Sequence, residues 1–300
     1  MTVAISVDVC VCTYRRETVR ETLRSVAAQR LPPGVQVRVI VADNDVQPEA
    51  AWRVRAAAAD DQLDLHYVHA PSRNISLARN ACLDAAAGDF IAFLDDDEIA
   101  SVHWLSALLA EAACGGWDAV LGPVNAVYGA AAPGWMKAGD FHSTRPVAVG
   151  GRIHKGYAGN VLIRRSAIDA RGLRFDLSRG RQGGEDDDFF YRLTDSGGTI
   201  GFAPDAWAEE AVPESRTTLD WLIKRSFRTG QTHGARLLGL HPGIGRWTQI
   251  GLAGGKAVVS LGGAALSVLS APRRNRWLLR ASLHAGVGAR LAGFTELELY

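Results

Sequence analysis

Short runs of β-branched and apolar residues alternate with longer, helix-spaced segments through the first part of this chain. That rhythm limits the folds open to it. Ile5 to Cys12, Val35 to Ala42, Leu65 to Val68 and Phe90 to Leu94 read as strands. Thr18 to Gln29, Glu49 to Ala59, Ser76 to Ala87 and Trp104 to Cys114 read as helices, and Ala119 to Val127 returns to strand character. Strands joined through helices can run parallel, because a long crossover rather than a tight turn connects them. The prediction is an α/β fold with a mostly parallel sheet flanked by helices. No GxGxxG or Walker A loop is present, so dinucleotide and P-loop readings lack support.

The fourth strand ends abruptly. FIAFLDDDE, Phe90 to Glu98, passes from an apolar run straight into four consecutive acids. Crowded carboxylates repel one another and resist burial unless something positive compensates them. Alternate residues at a strand end face opposite sides, so Asp95 and Asp97 can reach one hard cation while Asp96 points elsewhere. Mg2+ or Mn2+ held by one or two carboxylates takes its remaining oxygens from phosphate and water. The carboxyl ends of strands are also where open α/β sheets bind ligands. A solvated acidic turn is the bland alternative, and the apolar strand ahead of it argues against that.

A second cluster, GGEDDDFF from Gly183 to Phe190, opens a helix expected over Glu185 to Asp195. A helix start keeps carboxylates ionised. One that lies near a metal–phosphate complex without binding the metal can serve as general base. The same acids could equally do no more than cap and solubilise the helix. Groups of opposite character collect at the same sheet edge. Thr13 and Arg15 follow the first strand, and Asp43 and Asn44 follow the second. Arg73, Arg79 and Asn80 stand in SRNISLARNACLDAAAGD, just ahead of the acidic strand. Arginine offers fixed, paired donors to phosphate, although most helical arginines simply face water.

Composition narrows the partners. Basic and acidic residues number 33 and 32, for a net charge of +1, which gives no argument for nucleic acid. Four cysteines, two of them in Cys10-Val11-Cys12, suggest neither a disulfide framework nor a zinc site. The N-terminal MTVAISVDVCVCTYRR lacks a basic segment before its apolar run, so no signal peptide is expected and a cytoplasmic setting follows. Gly129 to Gly184, broken by Pro133 and Pro146, should hold short strands and a helix from Ser166. Thr217 should cap a basic aromatic helix running to Gly230.

The end of the chain changes character. Ile250 to Ala271 carries one charge, Lys256, among many small residues, and PRRNR follows it. Three readings stay open: attachment to a membrane surface or a re-entrant hairpin, a true crossing, and an ordinary buried helix pair. Trp277, Arg280 and Arg290 would suit an interfacial helix facing anionic lipid.

Taken in order, VCTYRRETVRETLRSVAAQ, VIVADND, SRNISLARNACLDAAAGDFIAFLDDDE, GNVLIRRSAI, GGEDDDFFYRL and the basic helix ending in RTG carry a family resemblance. The chain resembles the family 2 glycosyltransferases, inverting enzymes of the Rossmann-like GT-A fold that use nucleotide-diphosphate sugars. The resemblance implies a GT-A domain over residues 1–230, with a nucleotide-binding half at about 1–128 and an acceptor-side half at about 129–230. A helical, membrane-associated region would occupy 231–300, at the inner face of the cell membrane.

It also implies roles. Thr13, Arg15 and Asp43 would line the nucleotide pocket, with Asp43 meeting the base, and Arg79 would approach the diphosphate. Asp95 and Asp97 match the DxD that contacts ribose and the bridging Mn2+ or Mg2+, and Asp96 joins the nucleotide-sugar set. Asp186 matches the catalytic base, while Glu185 and Asn160 would position the acceptor. A UDP-linked donor is expected, with a saccharide or polyprenyl-diphosphate-linked acceptor.

Many such enzymes place a histidine after the ED helix as a further metal ligand. Here APDAWAEEAVPESR offers Glu209 and Glu210 instead, a form that resembles a branch concerned with bacterial exopolysaccharide assembly. His233 and His241 come later and are expected to be structural or solvent-facing. Three alternatives compete. A sugar-phosphate nucleotidyltransferase would want a glycine-rich, lysine-containing loop where TYRRETVRE stands. A two-metal hydrolase would want more histidine. A non-catalytic polysaccharide-binding or scaffold subunit would have little use for intact DxD and ED pairs.

Overall fold

The structure, a computed structural model, describes residues 4–181, 183–240 and 243–297. His241 lies outside the described residues. Two compact units make up the chain: Met1–Val127 with Ser143–Ala211, and Tyr128–His142 with Val212–Tyr300.

The first unit opens with the expected alternation: β1 (Ile5–Thr13), α1 (Val19–Ala27), β2 (Val35–Asp43), α2 (Ala51–Asp60), β3 (Leu65–His69), α3 (Ile75–Ala85) and β4 (Phe90–Leu94). After the acids come β5 (Glu98–Ala100), α4 (Trp104–Gly115), β6 (Ala119–Leu121) and β7 (Val124–Tyr128). Ala119 to Val127 is therefore two strands rather than one, broken at Gly122-Pro123, where proline has no N–H to give a ladder. α5 (Gly134–Gly139) belongs to the second unit, and the first resumes with β8 (Ala148–Val149), β9 (Arg152–Ile153), β10 (Asn160–Arg164), α6 (Arg165–Asp169) and α7 (Glu185–Asp195). The last strands are β11 (Ile200–Phe202) and β12 (Ala208–Val212).

Seven strands form the main sheet in the order β11-β6-β10-β4-β1-β2-β3. β3, β2, β1 and β4 run parallel, while β10 is antiparallel to both β4 and β6. β1, β4 and the second half of β2 are buried on both faces, as their continuous apolar runs require, while β3 at the sheet edge is only partly buried. On β1, Val7, Val9 and Val11 pack with Val19 and Leu23 of α1 and Leu105 of α4. Cys10 and Cys12 face the other way, with Cys82 of α3 and Phe189 of α7. A side chain's parity along the strand thus decides which helical layer it joins. The register sets Thr13 beside Asp43, so the ends of β1 and β2 open at one edge.

The second unit is helical: α8 (Leu219–Leu240), α9 (Ile244–Leu266) and α10 (Ala271–Leu291). α8 starts one residue later than expected because Thr218, not Thr217, accepts from the Trp221 N–H at 3.1 Å. The Thr217 hydroxyl instead donates to Glu214 O. α8 also continues past Gly230 to Leu240, since Gly230 lets α10 approach closely. A Cβ there would stand 1.9 Å from Leu283 O, and one at Gly286 would stand 2.0 Å from Phe227 O. Among the described residues no helix is long and apolar enough to cross a membrane.

Candidate active site

The parallel strands bring the candidate residues to one edge of the first unit. Thr13, at the end of β1, donates its hydroxyl to Asp96 Oδ2 at 2.8 Å. Asp96 is buried, and burial pushes its carboxyl up to about 7, against the opposing pull of Arg16 and the Thr13 hydroxyl. Asp97 is ion-paired with Arg16, which also reaches Asp96 at 3.4 Å. Arg16, which the sequence reading did not single out, is thus the cation that meets the strand-end acids. Arg15 is exposed and holds Asp45 at 2.6 Å. The signal was present in the TYRR doublet but could not say which arginine turned inward.

Asp43 is wholly buried. Its carboxylate accepts from Asp45 N at 3.0 Å, Ala50 N at 3.2 Å and the Tyr67 hydroxyl at 2.7 Å. Burial and this contact raise the Tyr67 hydroxyl well above its ordinary range. A cleft of about 310 Å³ opens here, lined by Arg15, Asp43, Asp45, Glu49 and Arg53 among others.

Four residues beyond β4 the crowding becomes extreme. Glu98 is 3 % exposed, and its Oε2 has no hydrogen-bond partner. Burial, then Asp95 and Glu210, hold its carboxyl well above the usual carboxylate range. Glu210 arrives by register: β12 pairs antiparallel with β5, setting Glu210 opposite Glu98 and Glu209 opposite Ile99. Of Glu209 and Glu210, Glu210 is thus the one brought to the acidic strand end. Gly159 closes the space, for a Cβ there would lie 2.6 Å from Glu98 Oε1 and 3.0 Å from Asp95 Oδ2.

Asn160, directly after it, is fully buried. Its amide donates to Pro123 O and Ala206 O at 3.0 and 2.8 Å and accepts from the Trp104 indole at 2.7 Å. This side chain is spent on internal partners and ties β10 to its neighbours.

The second cluster lies at the N-terminus of α7, and one cation joins it to the first. Arg79, on α3, is 5 % exposed and meets Glu185 at 2.6 Å and Asp95 at 3.7 Å. Although burial works against its charge, Asp186, Glu185 and Asp95 together raise its guanidinium well above its ordinary value. One guanidinium cannot neutralise three carboxylates. Burial and the charge of Asp186 accordingly push Glu185 up to about 7, against the pull of Arg79.

The remaining acids of α7 have cations of their own. Lys155 meets Asp187 at 3.2 Å, and Arg192 meets Asp188 at 2.8 Å. Asp186 differs. Among the described residues its only hydrogen-bond donor is the Ala158 N–H, at 3.3 Å from Oδ2. Among the described residues no group of three or more His, Cys, Asp and Glu side chains is placed to hold a metal ion. Two carboxylates with donor oxygens are what the strand end offers. The surplus of carboxylates over Arg16 and Arg79, with an orphaned buried oxygen on Glu98, fits a hard divalent cation.

A largely parallel sheet with polar and charged side chains at its carboxyl edge, acids after the fourth strand and an acidic helix start is the arrangement of a GT-A transferase fold. Residues 8–172 match the family described as "Glycosyl transferase family 2". The chain is also 52% identical over 296 residues, 99% of its own length and 96% of the relative's, to "Succinoglycan biosynthesis protein ExoM" of Rhizobium meliloti. It belongs to glycosyl transferase family 2, and its activity is transfer of a sugar from a nucleotide-sugar donor to an acceptor. Among solved structures it resembles a mannosyltransferase, PcManGT of Pyrobaculum calidifontis, in complex with GDP-Man and Mn2+. The TM-score is 0.64 at 20% identity, covering 97% of this chain and 90% of that one. S. aureus TarS 1-349 in complex with UDP-GlcNAc aligns with a TM-score of 0.57 at 17% identity, covering 93% and 91%. These two likenesses establish the GT-A fold.

Proposed function

We propose that this chain is an inverting, divalent-cation-dependent transferase acting in exopolysaccharide assembly. It moves a sugar from a UDP-linked donor to a hydroxyl of a saccharide carried on a polyprenyl diphosphate. The exopolysaccharide role follows the similarity to the succinoglycan protein, and the cation follows the acidic surplus and the Mn2+ complex of the mannosyltransferase. The two solved relatives bind GDP-Man and UDP-GlcNAc, so the base is the element most in need of measurement.

The observation that carries the reading is the first turn of α7. Glu185, Asp187 and Asp188 each form a close ion pair with a basic side chain, whereas among the described residues Asp186 forms none and feels the charge of Arg79 without touching it. It is the acid left to take a proton from an attacking hydroxyl. Asp97 and Asp95 would hold Mn2+ or Mg2+, which when bound stabilises charge on the departing diphosphate. Thr13 fixes Asp96, Tyr67 and two backbone N–H groups fix Asp43, and Arg79 holds Glu185 beside the base. Direct displacement opposite the leaving group inverts the anomeric centre and needs no glycosyl-enzyme.

Donor and acceptor handling is assigned to 1–230, and 231–300 to a peripheral position at the cytoplasmic face of the membrane. A binding screen of UDP- and GDP-sugars with Mn2+ and Mg2+, followed by turnover on lipid-linked saccharide and NMR of the product, tests the proposal. A retained anomeric centre rules out the single displacement.

A further inference from the structure

α9 packs through one face and leaves the other bare. Ala253, Ser260 and Ala264 are its buried residues. At about 100° per residue, Ile244, Val258, Val259 and Leu266 fall on the opposite side, and they are 86%, 69%, 68% and 91% exposed. Gly251, Gly255 and Gly262 share that side, and a Cβ at any of them would meet open space. The turn into α10 extends the patch, since Val268 is 61% and Leu269 fully exposed. A soluble surface rarely carries an apolar stripe of this length without a partner.

Charge identifies the partner. From Trp221 to Thr295 the chain has no Asp or Glu at all but eleven Lys and Arg. Arg273 and Arg274 stand beside the exposed Val268-Leu269 tip, and Lys256 lies on the flank of the stripe. A second copy of the same face would bring like charges together. An anionic bilayer would receive the stripe into its apolar boundary and the arginines at its headgroups.

We infer that the outward face of α9, with the α9–α10 turn, is a membrane-insertion surface for anionic lipid. It spans no bilayer and lies in the interface. The inserted residues are not those the sequence suggested on α10. Trp277 packs against α9, where a Cβ at Gly263 would lie 2.5 Å from its ring, and Arg290 reaches Glu296 at 3.5 Å. This assignment deepens the peripheral position proposed above and is independent of the transfer chemistry.

The test is co-sedimentation of the full chain with vesicles of phosphatidylcholine alone, or of phosphatidylcholine mixed with phosphatidylglycerol. The native chain should bind the anionic vesicles, and salt should weaken the binding. Val259→Asp with Leu266→Asp should reduce the bound fraction by roughly tenfold or more, and Arg273→Ala with Arg274→Ala by less. UDP affinity in the same samples reports on the donor site. Lost vesicle binding with intact UDP binding therefore supports this surface whatever becomes of the reaction.

A measurement on the otherwise native chain guards against misfolded variants. Brominated phosphatidylglycerol should quench Trp247, which is 62% exposed, and Trp247→Phe should remove that component. Absence of binding to anionic vesicles overturns the inference, as does equal binding by the aspartate variant. So does a native dimer that Val259→Asp converts to monomer, which would give the face to a second copy.

Discussion

The two acidic clusters look alike in sequence and are built on opposite terms. The strand-end acids are crowded against one another, with Asp96 and Glu98 buried and raised by that burial. The helix-start acids are spread around a turn, and three of the four have a basic partner. A strand end gathers carboxylates that must share Arg16 and Arg79, whereas a helix N-terminus supplies both a favourable dipole and room for separate cations. The first arrangement leaves more carboxylates than cations, and the second leaves one acid without a close ion pair.

Asp186→Asn is the strongest way to break this comparison. It preserves size and the contact to Ala158 but removes the proton acceptor, so transfer should fall by roughly two to four orders of magnitude. Asp187→Asn, which loses Lys155, and Asp188→Asn, which loses Arg192 and the longer contact to Arg179, should remain within about tenfold of native. Steady-state kinetics on all three decides it. Near-native turnover by the Asp186 variant places the base elsewhere.

Arg79→Met attacks the link between the clusters. Truncating a buried pair leaves uncompensated charge, and the expected loss is about 3–5 kcal/mol in denaturant unfolding. Adding Glu185→Gln should restore part of it, because a neutral amide no longer needs the guanidinium. An unchanged unfolding midpoint would mean that the clusters are not electrostatically joined.

Asp97→Ala should then weaken Mn2+-dependent UDP binding by more than about tenfold, the scale seen for outer partners alone. Calorimetry with and without Mn2+ measures this, and metal-independent binding should hold. Equal metal dependence in variant and native chain would remove Asp97 from the cation site.

The smallest effect is a pH dependence. Glu185 sits near 7 in the folded chain, above its ordinary value, so its stabilising contribution is full at low pH. That contribution is lost as pH rises through about 7. Between pH 5 and 8 the unliganded native chain should lose about 2–4 °C of Tm that Glu185→Gln does not lose. Parallel curves would show that Glu185 is already ionised throughout.

Much of this could be read from the chain because the signals are local. The alternating runs predict β1 to β4 nearly residue for residue, and Glu185–Asp195 is the helix expected from a Gly-Gly lead and apolar spacing. The acids at the end of β4 announce themselves by interrupting an apolar strand. What escaped depends on partners distant in sequence. Arg16 rather than Arg15 turns inward, Asn160 is claimed by Trp104 fifty-six residues away, and Glu210 meets Glu98 only through strand register. The cap at Thr218 was missed by one position, because Thr217 and Thr218 carry the same hydroxyl and only the preceding turn distinguishes them.

The Arg79–Glu185 bond joins residues 106 positions apart, which gives it a consequence during synthesis. A nascent chain that has released β1 through β4 from the ribosome has every element needed to nucleate the parallel sheet. Once the acids after β4 follow, it has Asp95 but not yet Glu185, the closer of the two carboxylates on Arg79. Long-range closures of this kind come late, after the local units have formed. Until α7 emerges, the Arg79 guanidinium has Asp95 at the end of β4 but lacks the closer Glu185, so the burial of α3 against the sheet is completed only when α7 docks. Translation order thus places the Arg79–Glu185 closure after the parallel sheet has its strands.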